Sequence, residues 1–125
     1  MRLLLDTHVL LWAVGRTARL SARASDAIKN SQQVIVSVAS VWEVEIKRAL
    51  GKLEAPEDLP YAMAVSGFDE LPILLSHAVL AGRLPRHHDD PFDRMLVAQA
   101  VVEDLVLVTA DPAMSQYDVR LLKAA

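Results

Sequence analysis

Three compact runs of apolar residues punctuate the chain, and each stops at a polar one: Leu3-Leu4-Leu5 before Asp6, Val34-Ile35-Val36 before Ser37, and Leu105-Val106-Leu107-Val108 before Thr109. Runs without polar alternation suit strands covered on both faces, the form found inside parallel sheets. Between them, apolar positions recur at helical spacing over roughly 8–14, 21–30, 38–51, 57–66, 75–83 and 91–104. Strands separated by helices need right-handed crossovers. The pattern therefore predicts an α/β fold of three layers, α/β/α, around a mainly parallel central sheet. Leu71-Pro72-Ile73-Leu74 and Val119-Arg120-Leu121-Leu122 are weaker strand candidates. No repeat, low-complexity tract or linker divides the pattern, so residues 1–125 are expected to form one domain.

Several boundaries have identifiable chemistry. Ser21 and Ser37 can cap the helices that follow them, and Asp90-Pro91 is a strong helix start because proline at the first position lacks only an N–H that has no partner there. Gly51 and Gly82 mark expected helix ends. This layout places Asp6, Ser37 and Asp111 at or just beyond the carboxyl ends of strands, the edge where open parallel sheets bind ligands.

Four carboxylates then converge on that edge. Asp6 closes the first apolar run, Glu43 lies one turn after Ser40, Asp93 stands in the first turn opened by Asp90-Pro91, and Asp111 follows the last run. Like charges brought together repel, so a cation or a proton must neutralise them, and a hard divalent metal is the economical answer. Each acid also has a structural reading. Asp6, Asp90 and Asp111 can cap helices or turns, Asp93 suits the positive end of a helix, and Glu43 can pair with Lys47 at i,i+4. In the third helix the apolar stripe reads Val38, Trp42, Ile46, Ala49 and Leu53, with Glu43 on one border and Glu45 on the other. Ser40 shares the Glu43 face, where its hydroxyl could orient a carboxylate or a water, and so favours Glu43.

Composition narrows the chemistry. With 125 residues, 53% hydrophobic, the chain can bury roughly two-thirds of its unfolded surface. It has no cysteine, so a metal must use oxygen or imidazole donors. A net charge of -3 argues against binding polyanions by bulk electrostatics, yet Arg16, Arg19, Arg23, Lys47, Arg48, Lys52, Arg83, Arg86 and Arg94 could form a basic rim around an acidic pocket. The N-terminus reaches Asp6 without the apolar core of a signal peptide, and no stretch is long enough to span a bilayer; a soluble, cytoplasmic protein without membrane attachment is expected. His87-His88, just before the acidic run, reads as a solvated loop pair, with lining of the substrate path as the other reading, and His8 and His77 read as structural. Phosphate-loop, dinucleotide and serine-elbow motifs are absent, and a dehalogenase-like phosphatase would need an acid where His8 stands.

Taken together, Leu3-Leu4-Leu5-Asp6-Thr7-His8, the Ser40/Glu43 helix, the run from Asp90-Pro91-Phe92-Asp93-Arg94 through Ala100, and Leu107-Val108-Thr109-Ala110-Asp111 strongly resemble the PIN-domain ribonucleases, and within them the VapC-like toxins of type II toxin–antitoxin pairs. The resemblance covers nearly the whole chain. It implies a PIN-like fold and a Mg²⁺- or Mn²⁺-dependent endoribonuclease acting on RNA, restrained by a cognate antitoxin protein, and a homodimer. By motif position Asp6, Glu43, Asp93 and Asp111 carry over as the acidic quartet, with Asp6 and Asp93 nearest the metal. Asp90 is an extra carboxylate that stands as cap, as a group orienting the others, or as a ligand. The alternative from another class is a catalytically silent PIN fold that binds RNA or serves as a scaffold.

Overall fold

The computed structural model describes residues 1–15 and 18–125. Five strands form one sheet: β1 (Arg2–Leu5), β2 (Gln33–Ser37), β3 (Asp69–Leu71), β4 (Val106–Thr109) and β5 (Leu121–Lys123). Their order is β3-β2-β1-β4-β5 and every pairing is parallel. The helices are α1 (Thr7–Gly15), α2 (Ala22–Asn30), α3 (Val38–Ala49), α4 (Leu59–Ser66), α5 (Leu75–Arg83) and α6 (Pro91–Glu103), with a 3₁₀ turn over Pro112–Gln116.

The apolar runs become central strands because side chains alternate across a pleat and here both sides are covered. On one face Leu3, Leu5, Val34, Val36, Val106 and Val108 pack with Val9 and Leu10 of α1, Val44 of α3, and Leu59 and Met63 of α4. On the other, Leu4, Ile35 and Leu107 meet Leu96, Val97 and Ala100 of α6 together with Met114 and Tyr117. The expected three layers follow directly from that alternation.

Several boundaries differ from expectation, each for a local reason. The third strand runs over Asp69–Leu71 rather than 71–74, since Pro72 lacks the N–H that a further ladder bond would need. The last strand is Leu121–Lys123, displaced toward the C-terminus, and Val119 instead packs against the core under α6. Gly82 lies within the last turn of α5, which continues to Arg83; the helix stops at Leu84, held extended at ψ 149° before Pro85. Gly51 does follow α3 at φ +69°, and Gly67 closes α4 at φ +76°, both left-handed positions suited to glycine.

Strand order fixes where ligands can enter. The chain passes from β1 to β2 and β3 on one side, then returns to β4 and β5 on the other, so the sheet opens at the carboxyl ends of β1 and β4. The Asp6 N–H donates to the Val108 carbonyl at 3.0 Å, holding the end of β1 against the end of β4.

Candidate active site

Asp6 leaves that junction with both carboxylate oxygens engaged. Oδ1 accepts from Val9 N at 2.9 Å, closing the first turn of α1, while Oδ2 accepts from the Thr109 hydroxyl at the end of β4. One carboxylate thus caps a helix and stands at the sheet edge. Its burial raises its pKa above the ordinary carboxylate value; the bonds from Thr109 and Val9 oppose the rise and the nearby Asp111 charge adds to it. Thr109 Oγ1 accepts in turn from Asp111 N at 3.1 Å, and Asp111 Oδ1 accepts from Ala113 N at 2.9 Å. Asp111 is therefore also a capping group, fixed beside Asp6 through a shared threonine.

Glu43 arrives from α3, buried to 4% exposure. Its Oε1 accepts from the Thr7 hydroxyl, and its Oε2 accepts from Lys47 Nζ at 2.6 Å. The i,i+4 pair and the inward orientation coexist. That ammonium is itself held protonated above its ordinary pKa, first by the Glu43 hydrogen bond, against partial burial, with Asp90 and Asp93 adding to the rise. Glu45 points outward to Arg48 at 3.2 Å.

The predicted apolar stripe of α3 is corrected. Its inner face is Ala39, Ser40, Glu43 and Val44, whereas Val38, Trp42 and Ala49 are exposed, Trp42 to 61%. The helix turns a partly polar face inward because that face delivers Glu43, and Trp42 instead lies edge-on against Phe92 of α6 at 5.6 Å. The Ser40 hydroxyl is buried and has no partner among the described residues, so orienting Glu43 falls to Thr7 and Lys47.

At the start of α6, Asp90 Oδ1 accepts from Phe92 N at 2.8 Å and Asp93 N at 3.2 Å, which makes it the cap. Asp93 is pushed up to about 6, chiefly by burial and next by the Asp90 charge, in spite of a hydrogen bond to His88. His88 is not the solvated loop residue expected. Its Nε2 lies 2.7 Å from Asp93 Oδ2 and 3.4 Å from Asp111 Oδ2. Burial lowers the pKa of this imidazole, but the Asp93 hydrogen bond and the charges of Asp93, Asp111 and Asp90 outweigh it, leaving the value above normal.

The carboxylates border one cleft of about 320 Å³, and His88 stands behind its wall, against Asp93 and Asp111. Asp6, Glu43, Asp90, Asp93 and Asp111 line it together with Thr7, His8, Trp12 and Lys47. His8, expected to be structural, is exposed at this opening and stacks obliquely with Trp12; His77 is fully buried, as expected, between Leu74 N and Glu103. The predicted basic rim is only partly present. Lys47 is in the cleft, but Arg94 turns away to bond the carbonyls of Ala81, Leu84, Pro85 and His88, and Arg16 lies outside the described residues.

The donor chemistry fits a divalent ion. Five carboxylates border the cleft, and the two whose pKa values are raised, Asp6 and Asp93, would gain most from a cation beside them. Donor atoms of His88, Asp93 and Asp111 lie within 4.8 Å of one another. The two threonines were missed from sequence, and His88 was read chiefly as a loop residue, without its contacts to Asp93 and Asp111. Thr7 and Thr109 sit next to or two before named acids, a signal available in principle; nothing in the loop around His88 shows its direction.

A family model described as PIN domain matches residues 3–120, and Ribonuclease VapC22 from Mycobacterium tuberculosis (strain ATCC 25618 / H37Rv) is 32% identical over 116 residues, 86% of this chain and 85% of that protein. The chain belongs to the VapC-like PIN-domain family. Solved PIN-fold neighbours agree in architecture. VapBC2 from Rickettsia felis, bound to a DNA fragment from its promoter, superposes with a TM-score of 0.72 at 15% identity over 100% of both chains. A toxin–antitoxin complex from Klebsiella pneumoniae gives 0.67 at 20% identity over 95% of this chain and 94% of that one. At those identities the likeness is one of fold.

Proposed function

We propose that this PIN domain is the toxin of a type II toxin–antitoxin pair, a Mg²⁺- or Mn²⁺-dependent endoribonuclease that acts in the cytoplasm. Asp6 and Asp93 would hold the ion, with Glu43 and Asp111 completing the site. The observation that carries this reading is the convergence of four carboxylates, from β1, α3, α6 and the end of β4, on one cleft where burial lifts Asp6 and sends Asp93 to about 6. When bound, the ion supplies Lewis acidity that activates water and offsets charge building on the phosphoryl group.

The chain's own residues set up the rest. Thr109 and Val9 N fix both oxygens of Asp6, and Thr7 fixes Glu43, so the carboxylates are held in place before substrate arrives. Lys47 brings a positive charge into an otherwise acidic cleft, where it can meet an RNA phosphate while partly offsetting Glu43. The kinship with Ribonuclease VapC22 supports RNA as substrate, and the toxin–antitoxin complexes among the solved neighbours support an antitoxin partner.

The test uses purified, antitoxin-free protein with single-stranded and loop-containing RNA. Cleavage with Mg²⁺ or Mn²⁺ that stops in EDTA is expected. Undiminished cleavage in chelator overturns the metal mechanism, and absence of cleavage with either ion leaves the silent RNA-binding fold in its place.

A further inference from the structure

We propose that His88 is a metal ligand, and that with Asp93 and Asp111 it forms a nitrogen-containing position that takes Mn²⁺, or a similar first-row transition ion, in preference to Mg²⁺. The inference rests on reading the cleft as a metal centre and adds a donor of a different kind to it.

The geometry suits a cation held between the three side chains. His88 Nε2 stands 2.7 Å from Asp93 Oδ2 and 3.4 Å from Asp111 Oδ2, and one donor atom from each residue falls within 4.8 Å of the others. Adjacent corners of an octahedron with bonds of about 2.1 Å lie roughly 3 Å apart, so little movement is needed to receive an ion. The three donors come from separate segments, each anchored independently. The His88 carbonyl accepts from Arg94 Nη1 and from the Tyr117 hydroxyl, both at 3.3 Å; Asp93 sits in a turn capped by Asp90; Asp111 is tied to Ala113 N and, through its own N–H, to Thr109. Such anchoring is what a prepared site requires, whereas a surface His–Asp pair needs none of it.

Donor type then decides the ion. Mg²⁺ favours oxygen and holds its waters, so it is served by the carboxylates of Asp6 and Asp93 and gains little from an imidazole. Mn²⁺ is the weakest binder of the divalent transition series and is well served by oxygen, yet it accepts an imidazole more readily than Mg²⁺ does, so a position with one imidazole and two carboxylates tilts the balance toward it and toward the later ions of the series. Asp93 belongs to both groupings. The histidine thus biases one end of a shared acidic site toward a softer ion.

The experiment reads the bound ion directly. Mn²⁺ is added to the full-length protein in the absence of RNA, and electron spin echo spectra are recorded for nitrogen modulation from a coordinated imidazole. The modulation is expected in the wild type, to persist in His8→Gln and His87→Gln, and to vanish in both His88→Gln and His88→Asn, with folding checked by circular dichroism. By calorimetry, loss of the imidazole should weaken Mn²⁺ binding about tenfold or more while changing Mg²⁺ binding less than about threefold. Bound Mn²⁺ without nitrogen modulation, or modulation that survives both His88 substitutions, overturns His88 as a ligand and leaves the carboxylate centre standing. Wild-type protein that binds neither ion overturns the metal reading of the cleft as a whole.

Discussion

Asp93 lies in the first turn of α6, which Asp90 caps, and its carboxyl is pushed up to about 6 from the ordinary 3.8, mainly because it is buried and because Asp90 is beside it. A carboxyl raised by folding binds its proton more tightly in the folded chain, so it contributes stability below about pH 4 that is lost as pH rises through about 6. Removing the charge should reverse that loss. In metal-free buffer above about pH 7, Asp93→Asn is expected to melt a few degrees above wild type, on the order of 1 kcal/mol, and the gap should shrink as pH falls through about 6 and close below about pH 4. Asp6→Asn should behave likewise, as its pKa is also raised by burial, and both substitutions should abolish RNA cleavage in a gel assay. A melting gap that widens on acidification would show that the repulsion account is wrong. The two glutamates of α3 provide a second contrast: Glu43 is buried between Thr7 and Lys47, whereas Glu45 faces solvent beside Arg48. Glu43→Gln should therefore cut cleavage by about a hundredfold or more, and Glu45→Gln should leave it within about twofold.

At the scale of elements, the loop from α5 to α6 is held at more points by Arg94 than by any other side chain described. Arg94 donates to the carbonyls of Ala81 at 2.8 Å, Leu84 at 3.0 Å, Pro85 at 3.1 Å and His88 at 3.3 Å, so one guanidinium, with the Tyr117 hydroxyl on the His88 carbonyl, holds the loop that carries His88 and Asp90. Arg94→Met keeps the aliphatic stem but leaves those carbonyls without their donor; it should cost about 2–3 kcal/mol in urea unfolding and weaken metal binding without touching a ligand. An unchanged urea midpoint would count against that role. The same loop shows where reading from sequence stops. Strands were legible because both of their faces are buried and their apolar runs are unbroken, and α6 was legible from Asp90-Pro91 and the apolar run behind it. The third and fifth strands were misplaced because they are edge strands, and an edge strand such as Asp69-Glu70-Leu71 tolerates charges that mask its pattern. The orientation of α3 was misread because counting apolar positions assumes an apolar inner face, and this one carries Ser40 and Glu43. The acids could be named as candidates since each sits at an element boundary that the pattern marks. His88 could not, because its direction is set by carbonyl contacts to Arg94 and Tyr117 that have no periodic signature.

For the whole molecule, most of the exposed large apolar residues lie on two pairs of helices or next to them. On α5 and α6, which pack together, Leu75 is 83% exposed and Val79, Val101 and Val102 are each more than 40% exposed. A symmetric copy covering them would form a homodimer, expected by light scattering at micromolar concentration and weakened by Leu75→Glu. On α3 and α4, Trp42, Leu50, Tyr61 and Val65 are each more than 60% exposed. The Trp42 end of this second region lies near the cleft, since Trp42 meets Phe92 at the start of α6 and precedes Glu43, which lines the cleft. Leu53, expected to share this surface, is packed partly buried against the core, so an antitoxin that clamps Trp42 and Leu50 would gain affinity from apolar burial and could send an Arg or Lys toward Asp6, Glu43 and Asp93. The cleft already shows how such a cation is received, for Lys47 lies 2.6 Å from Glu43, with its charge favoured by Asp90 and Asp93. Inhibition would then compete with metal: excess Mg²⁺ or Mn²⁺ should relieve it modestly, and replacing the inserted cation by Ala should restore cleavage more than it reduces complex formation by calorimetry. If affinity and inhibition instead fall in parallel across antitoxin substitutions, with no dependence on metal, the antitoxin acts by steric cover and the acidic cleft plays no part in its recognition.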